Sequence, residues 1–430
     1  MKIRSTIAVG IAAVAALALT SCTGGGAASG GGGSADGEIK GTITFQTWSL
    51  KNDKFTPYFE GVIDAFEKEH KGVTVKWIDQ PADGYEDKIL QQAESGELPD
   101  VVNLPPEYAA ELAKAGQLVD LKKDSKVIGD YVDGGVAGYT YDGLEGTYAF
   151  PWYLGTNLNY WNTELLGKAG ITAPPADFAA TLDDADKLAA KGVQMMSDIP
   201  DVKSLQWMVS DIGAEYPFQK NGKFVFDTPE AEKIIDRYAA LYKAGGVSPE
   251  ALQGAGTANA NINNFNKGTV AWSTAGPNYI DKDVAVNAPT LLPNVKVSGG
   301  FGDAPLFLQG ISVASGSKNA ATAMAFAEFV TDTPNQIEFV KLAAGFFPGT
   351  KEANADPSKF AETAQNPEQA EATKFAAAQM DSARTPGAPG FTEAMNTYAK
   401  QQIALAVRGD ISAKEALTKG QDYANQNVTK

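Results

Sequence analysis

Three short apolar stretches, each followed by a stretch of helical period, constrain the fold of this chain more than any other feature. Residues 41–48 alternate apolar and polar side chains and predict a strand, with a helix over about 55–71. Residues 73–78 predict a second strand and 85–95 a second helix; 96–103 leads into a third strand and 107–115 is helical again. Strands and helices alternating in this order predict an α/β fold, in which ligands bind beyond the carboxyl ends of the strands. Trp48, Asn103 and Glu107 stand at those ends and are the first candidate site residues.

Further along, residues 146–161 predict a strand pair, 268–273 a strand ending in a turn at 275–278, and 309–314 a strand leading into an alanine-rich helix over 320–331. Helical spacing covers 176–191, 205–212, 229–244 and 258–266, and most of the chain after 349 apart from a break around 386–390. No repeat of fixed period is present.

Composition narrows the chemistry. A chain of 430 residues that is 43% hydrophobic supports two or three folded units of about 150 residues each and excludes disorder. With 36 Lys+Arg against 52 Asp+Glu, the net charge of −16 argues against a nucleic-acid partner. One His and one Cys exclude a His-rich metal site, a CxxC redox pair and a zinc ribbon, so no metal and no cofactor is expected. There is no phosphate-binding GxxxxGK[ST], no GxSxG and no HExxH. Carboxylates, amides and aromatics remain as the working side chains.

The single cysteine has a specific place. Lys2 and Arg4 precede an apolar run over 7–19, which is too short to span a bilayer and predicts an export signal over 1–22. The tetrad Leu19-Thr20-Ser21-Cys22 resembles a bacterial lipobox, which makes Cys22 the expected lipid anchor. Residues 23–37 contain eight glycines and predict a flexible tether.

Aromatics recur beside Gly, Pro or Asn at predicted turns: Trp48, Trp152, Tyr153, Trp272 and Tyr279, with Trp207 a further candidate. Ring faces at strand ends beside amides and carboxylates suit carbohydrate, whose C–H surface packs on a ring while its hydroxyls take hydrogen bonds. The competing reading of each ring is a core residue. Asp183-Asp184 could serve a glycosidase as acid and base, but both lie early in a predicted helix, where acidic residues favour the helix dipole. Asp100, following Pro99, reads as a turn residue.

Six segments in order carry a family likeness: the signal ending at Cys22, residues 66–75, 95–102, 148–162, 265–277, and 310–313 with 325–330. Together they resemble the extracellular solute-binding proteins of carbohydrate ABC importers. The resemblance implies a type II periplasmic-binding-protein fold, with an N-lobe at 38–150 plus 313–345 and a C-lobe at 155–307 plus 350–430. It also implies a non-enzymatic, lipid-anchored protein on the outer face of the cytoplasmic membrane, whose lobes close on a sugar and dock on a permease. Glu107 matches the position of an acidic sugar ligand in maltose-binding relatives, although residues 103–106 differ from theirs. Those relatives carry a stacking Trp after the Gly-Pro turn, where this chain has Asn278, so the aromatic role is expected of Trp272 or Tyr279. Two other readings stay open: a non-sugar solute such as a glycerophosphodiester or polyamine, and a cell-surface glycoside hydrolase.

Overall fold

The computed structural model describes residues 37–81, 84–252, 260–380 and 382–428, so Cys22 lies outside the described residues. In chain order its strands are β1 (Gly41–Trp48), β2 (Val73–Gln80), β3 (Val101–Leu104), β4 (Phe150–Thr156), β5 (Leu158–Asn162), β6 (Phe218–Lys220), β7 (Lys223–Val225), β8 (Trp272–Ala275), β9 (Val295–Ser298), β10 (Leu306–Val313) and β11 (Phe347–Pro348). The larger sheet has the order β11-β4-β10-β3-β1-β2. In it β1 pairs in parallel with β2 and β3, while β10 is antiparallel to β3 and β4. A second sheet, β8-β5-β9, is antiparallel throughout. Parallel bridges from Gln194 to Val270 and from Met196 to Val247 extend its β8 side. The result is a two-lobed α/β fold of the periplasmic-binding type.

Local sequence accounts for these elements. Ile43 and Phe45 on β1 are fully buried, and so are Gln46 and Thr47, as expected of a parallel strand covered on both faces. The buried polar pair is satisfied: Gln46 exchanges amide hydrogen bonds with Gln92 at 3.1 Å, and the Thr47 hydroxyl donates to Asp79 at 2.7 Å. Helix Thr56–Glu69 starts with a proline in its first turn and turns Phe59, Val62 and Phe66 inward at helical spacing. Phe45 then meets Phe59 at 6.0 Å and Phe326, from helix Ala320–Val330, edge-on at 5.2 Å. Asp100 accepts from the Thr44 backbone N–H and hydroxyl, both at 2.8 Å, and from the Ser317 hydroxyl at 2.6 Å. It pins the turn into β3.

The strand pair expected over 146–161 is two strands of different sheets. Only Asn157 separates β4 from β5, and a hairpin needs at least two residues to reverse, so the chain passes straight from one sheet to the other. Along β5 the period of two divides the core: Tyr160 packs edge-on against Tyr279 at 4.8 Å on one face, and Trp161 stacks on Trp272 at 5.8 Å on the other. Each such buried ring contributes about 1.5–3 kcal/mol. The short strands β6, β7 and β9 are absent from the sequence-based expectation. Asp183 faces Arg237 at 3.1 Å and Asp184 faces Lys187 at 2.7 Å, so both are helix charges with cationic partners.

Candidate functional site

Strand direction locates the site. β1, β3 and β4 end at one edge of the larger sheet, and β10 begins there. In the second sheet β8 ends at Ala275, opposite the first residue of β5, and β9 ends at Ser298, opposite Asn159. The crossover at Asn157 and the return over 299–305 therefore bring the carboxyl ends of both sheets to face each other. Ligands of α/β proteins lie beyond such ends.

On the larger sheet's side, Trp48 closes β1 and stacks on Tyr85 at 5.5 Å, 18° from parallel. The Tyr85 hydroxyl donates to the Asn103 carbonyl at 2.8 Å. Asn103 is fully buried and its side-chain amide donates to Gln309 at 3.0 Å and to the Gly310 carbonyl at 3.1 Å. It clamps β3 to β10. Glu107 lies in the first turn of helix Pro106–Lys114 and keeps solvent contact. Desolvation by crowding protein raises its carboxyl pKa, while its own backbone N–H and the charge of Lys203 pull it down.

Lys203 comes from the other lobe, just before helix Ser204–Asp211, and pairs with Glu393 at 3.2 Å. Nearby, Asp198 accepts from Lys400 at 3.0 Å. Burial raises the Asp198 pKa more than Lys400 lowers it. Desolvation alone would lower Lys400, but Asp198, Asp201 and Glu393 outweigh it and the pKa is raised. Of these charges it is Lys203 that acts on Glu107.

Several expected ligand-binding rings lie in the core instead. Trp152 has no exposed surface and packs on Phe339 at 4.4 Å and Phe59 at 5.8 Å. Trp272 is 4% exposed, stacked on Trp161, and donates its indole N–H to Asn159 at 3.0 Å. Tyr279 is buried, with its hydroxyl on Asn266. Trp207 is half-buried against Phe178 at 5.5 Å and Phe301 at 6.2 Å. These four rings fill space between elements, where the hydrophobic gain is greatest. Trp272 and Tyr279, of which the aromatic role was expected, are both buried in this structure.

Trp48, Asn103 and Glu107 are brought together at the carboxyl ends of β1 and β3. Tyr153 and Asn278 come together at the other end, around Phe346: Tyr153 meets the Phe346 ring edge-on at 5.1 Å, and Asn278 donates to the Ala344 carbonyl at 3.3 Å. Asn278 and Phe346 line a shallow, open crevice. Sequence reading did not single out Tyr85, Lys203 or Phe346, which these contacts bring beside the candidate residues. For Phe346 a signal existed: in Gly345-Phe346-Phe347-Pro348-Gly349 the second Phe is buried, which turns the first outward.

The bacterial extracellular solute-binding family matches residues 61–371 of this chain. YcjN of Escherichia coli K12, which carries an ABC transporter periplasmic-binding name, is 25% identical over 308 residues, 66% of this chain and 67% of its own length. The maltooligosaccharide ABC transporter solute-binding lipoprotein of Streptococcus pneumoniae R6 is 26% identical over 348 residues, 77% of this chain and 78% of its own. The crystal structure of the cyclic alpha-maltosyl-1,6-maltose binding protein of Arthrobacter globiformis superposes with a TM-score of 0.70 at 18% identity, covering 90% of this chain and 98% of that one, a likeness of fold. A family match over most of the chain, on a two-lobed fold whose strand ends face one another, establishes that this protein belongs to the bacterial extracellular solute-binding proteins.

Proposed function

We propose that this chain is the lipid-tethered receptor of an ABC importer, taking an oligosaccharide between its lobes and presenting it to a membrane permease without making or breaking a bond. The lobes run over about 38–150 plus 313–345 and 155–307 plus 350–430. The observation that carries this reading is the convergence of both sheets' carboxyl ends on a crevice of aromatic, amide and carboxylate groups. Relatives with maltooligosaccharide and maltosyl ligands in their names support it. A sugar that touches both lobes only when they are closed shifts the hinge equilibrium by its extra contacts, and a permease can read the closed shape. Attachment rests on Cys22: the Cys22→Ala protein should leave the membrane fraction for the medium, and retention there would remove the anchor.

A polyamine is the second reading, because Glu107 offers a carboxylate at the carboxyl end of β3. Calorimetric titration decides between them, using maltose, maltotriose, maltotetraose, cellotriose and raffinose beside spermidine and glycerophosphocholine. We expect heat with at least one saccharide and no new reducing ends after long incubation. Binding of spermidine or glycerophosphocholine alone would replace the sugar, and released reducing ends would make the protein a hydrolase.

A further inference from the structure

We infer that the aromatic platform for the solute is built on the first lobe by Phe346 and Phe307, set on either side of Gly155, and that it takes the C–H face of a pyranose ring. This inference rests on the saccharide reading and specifies how that site holds its ligand.

Among the described residues only a few large apolar side chains stay exposed, and two of them flank Gly155: Phe307 at 47% and Phe346 at 39%. Water contact of that size costs free energy in the empty protein, and two such rings at one point mark a contact surface. Gly155 brings them together. It lies opposite Phe307 in the β4–β10 pair, and a Cβ on it would sit 3.3 Å from the Phe346 ring and 3.5 Å from the Phe307 Cβ. The missing side chain is the notch in which Phe346 rests on the strand. Phe346 is fixed there by the Tyr153 ring, by its backbone N–H on the Ala343 carbonyl at 3.2 Å and by buried Phe347 beside it. An aromatic held by a rigid turn loses little entropy on binding.

The position fits the ligand path. β4 leaves for the second lobe two residues after Gly155, and β10 arrives one residue before Phe307, so the platform stands where the two lobes meet. Asn278 faces it from the end of β8, on the same crevice. The Gly276-Pro277 turn thus supplies an amide where a ring was expected, and the first lobe supplies the rings. Chemistry selects the occupant. Charged groups lining the crevice are already engaged: Lys282 with Glu362 at 2.6 Å, and Asp281 with the Gln365 N–H at 2.8 Å. Lys282, the lysine of that lining, is thus paired and leaves no cation for a phosphate, whereas a ring face opposite an amide matches a neutral pyranose with its apolar face and hydroxyl rim.

The test titrates the tightest saccharide of the panel above into wild type, Phe346→Ala, Phe307→Ala and Gly155→Val, with Tyr398→Ala, whose ring stacks on Tyr423 at 4.2 Å between the C-terminal helices, as a control away from the platform. Phe346→Ala should raise Kd roughly ten- to hundred-fold, the scale of a lost buried Phe contact. Gly155→Val should weaken binding similarly by pushing Phe346 off the strand, and Tyr398→Ala should bind like wild type. Phe346 is exposed, so its alanine variant keeps the fold and remains decisive if Gly155→Val does not. Wild-type affinity in both Phe variants would overturn the platform while leaving the saccharide reading intact. Failure of wild type to bind any saccharide would overturn both.

Discussion

Trp272→Ala should lose about 3–5 kcal/mol of unfolding free energy, read as a lower urea midpoint at unchanged slope. The ring is 4% exposed and lies among Trp161 at 5.8 Å, Phe301 at 6.2 Å and Phe178 at 6.5 Å, so its removal leaves a cavity that three other rings cannot close. The loss also reaches the crossover. Asn159 accepts from the Trp272 indole and donates to the Gly299 carbonyl at 2.6 Å, so the truncation strands one buried amide oxygen on the strand that anchors the return segment. Near-wild-type stability with lost saccharide affinity would instead put Trp272 in the ligand site.

The second large effect is expected at Gly349, which is buried beside β4. A Cβ there would collide with the backbone carbonyl of Pro151, and backbone cannot swing aside as a long side chain can. Gly349 also donates its N–H to Gln336, and Gln336 in turn donates to the carbonyls of Pro151 at 3.0 Å and Thr331 at 2.6 Å. Any retreat by an alanine breaks this buried junction. Gly349→Ala should therefore cost about 3 kcal/mol in the same urea experiment, against a change within about 0.5 kcal/mol for Gly316→Ala, whose Cβ meets open space. Equal midpoints for the two variants would show that β11 can be displaced from β4 at no cost.

Much of the architecture could be read from the chain because it depends on local period. The helix expected over 229–244 is observed as Pro229–Ala244, with Thr228 capping the Ala231 N–H and Gly245 ending it at φ 84°. β1 followed from alternation alone. For the strand pair at 146–161 alternation carries no information about partners; the single residue Asn157 between the strands, with the minimum length of a hairpin loop, separates them into two sheets. β9 is four residues long and too short to show a period.

The candidate site was less legible for a physical reason. A ring beside Pro or Asn looks the same in sequence whether it points into the core or out of it, and Trp152 and Trp272 point in. Asn103 stands at the expected strand end, yet its amide is spent on Gln309 and Gly310. Lys203 and Glu107 are 96 residues apart in sequence and are related only through the crossovers, which no local pattern encodes.

Capture of a solute by closure of two lobes is the central claim, and small-angle X-ray scattering with and without a saturating saccharide tests it most directly. The radius of gyration should be smaller with the saccharide bound, because contacts from both lobes are gained only on closing. An unchanged scattering curve, at a concentration where calorimetry shows the site filled, would contradict it.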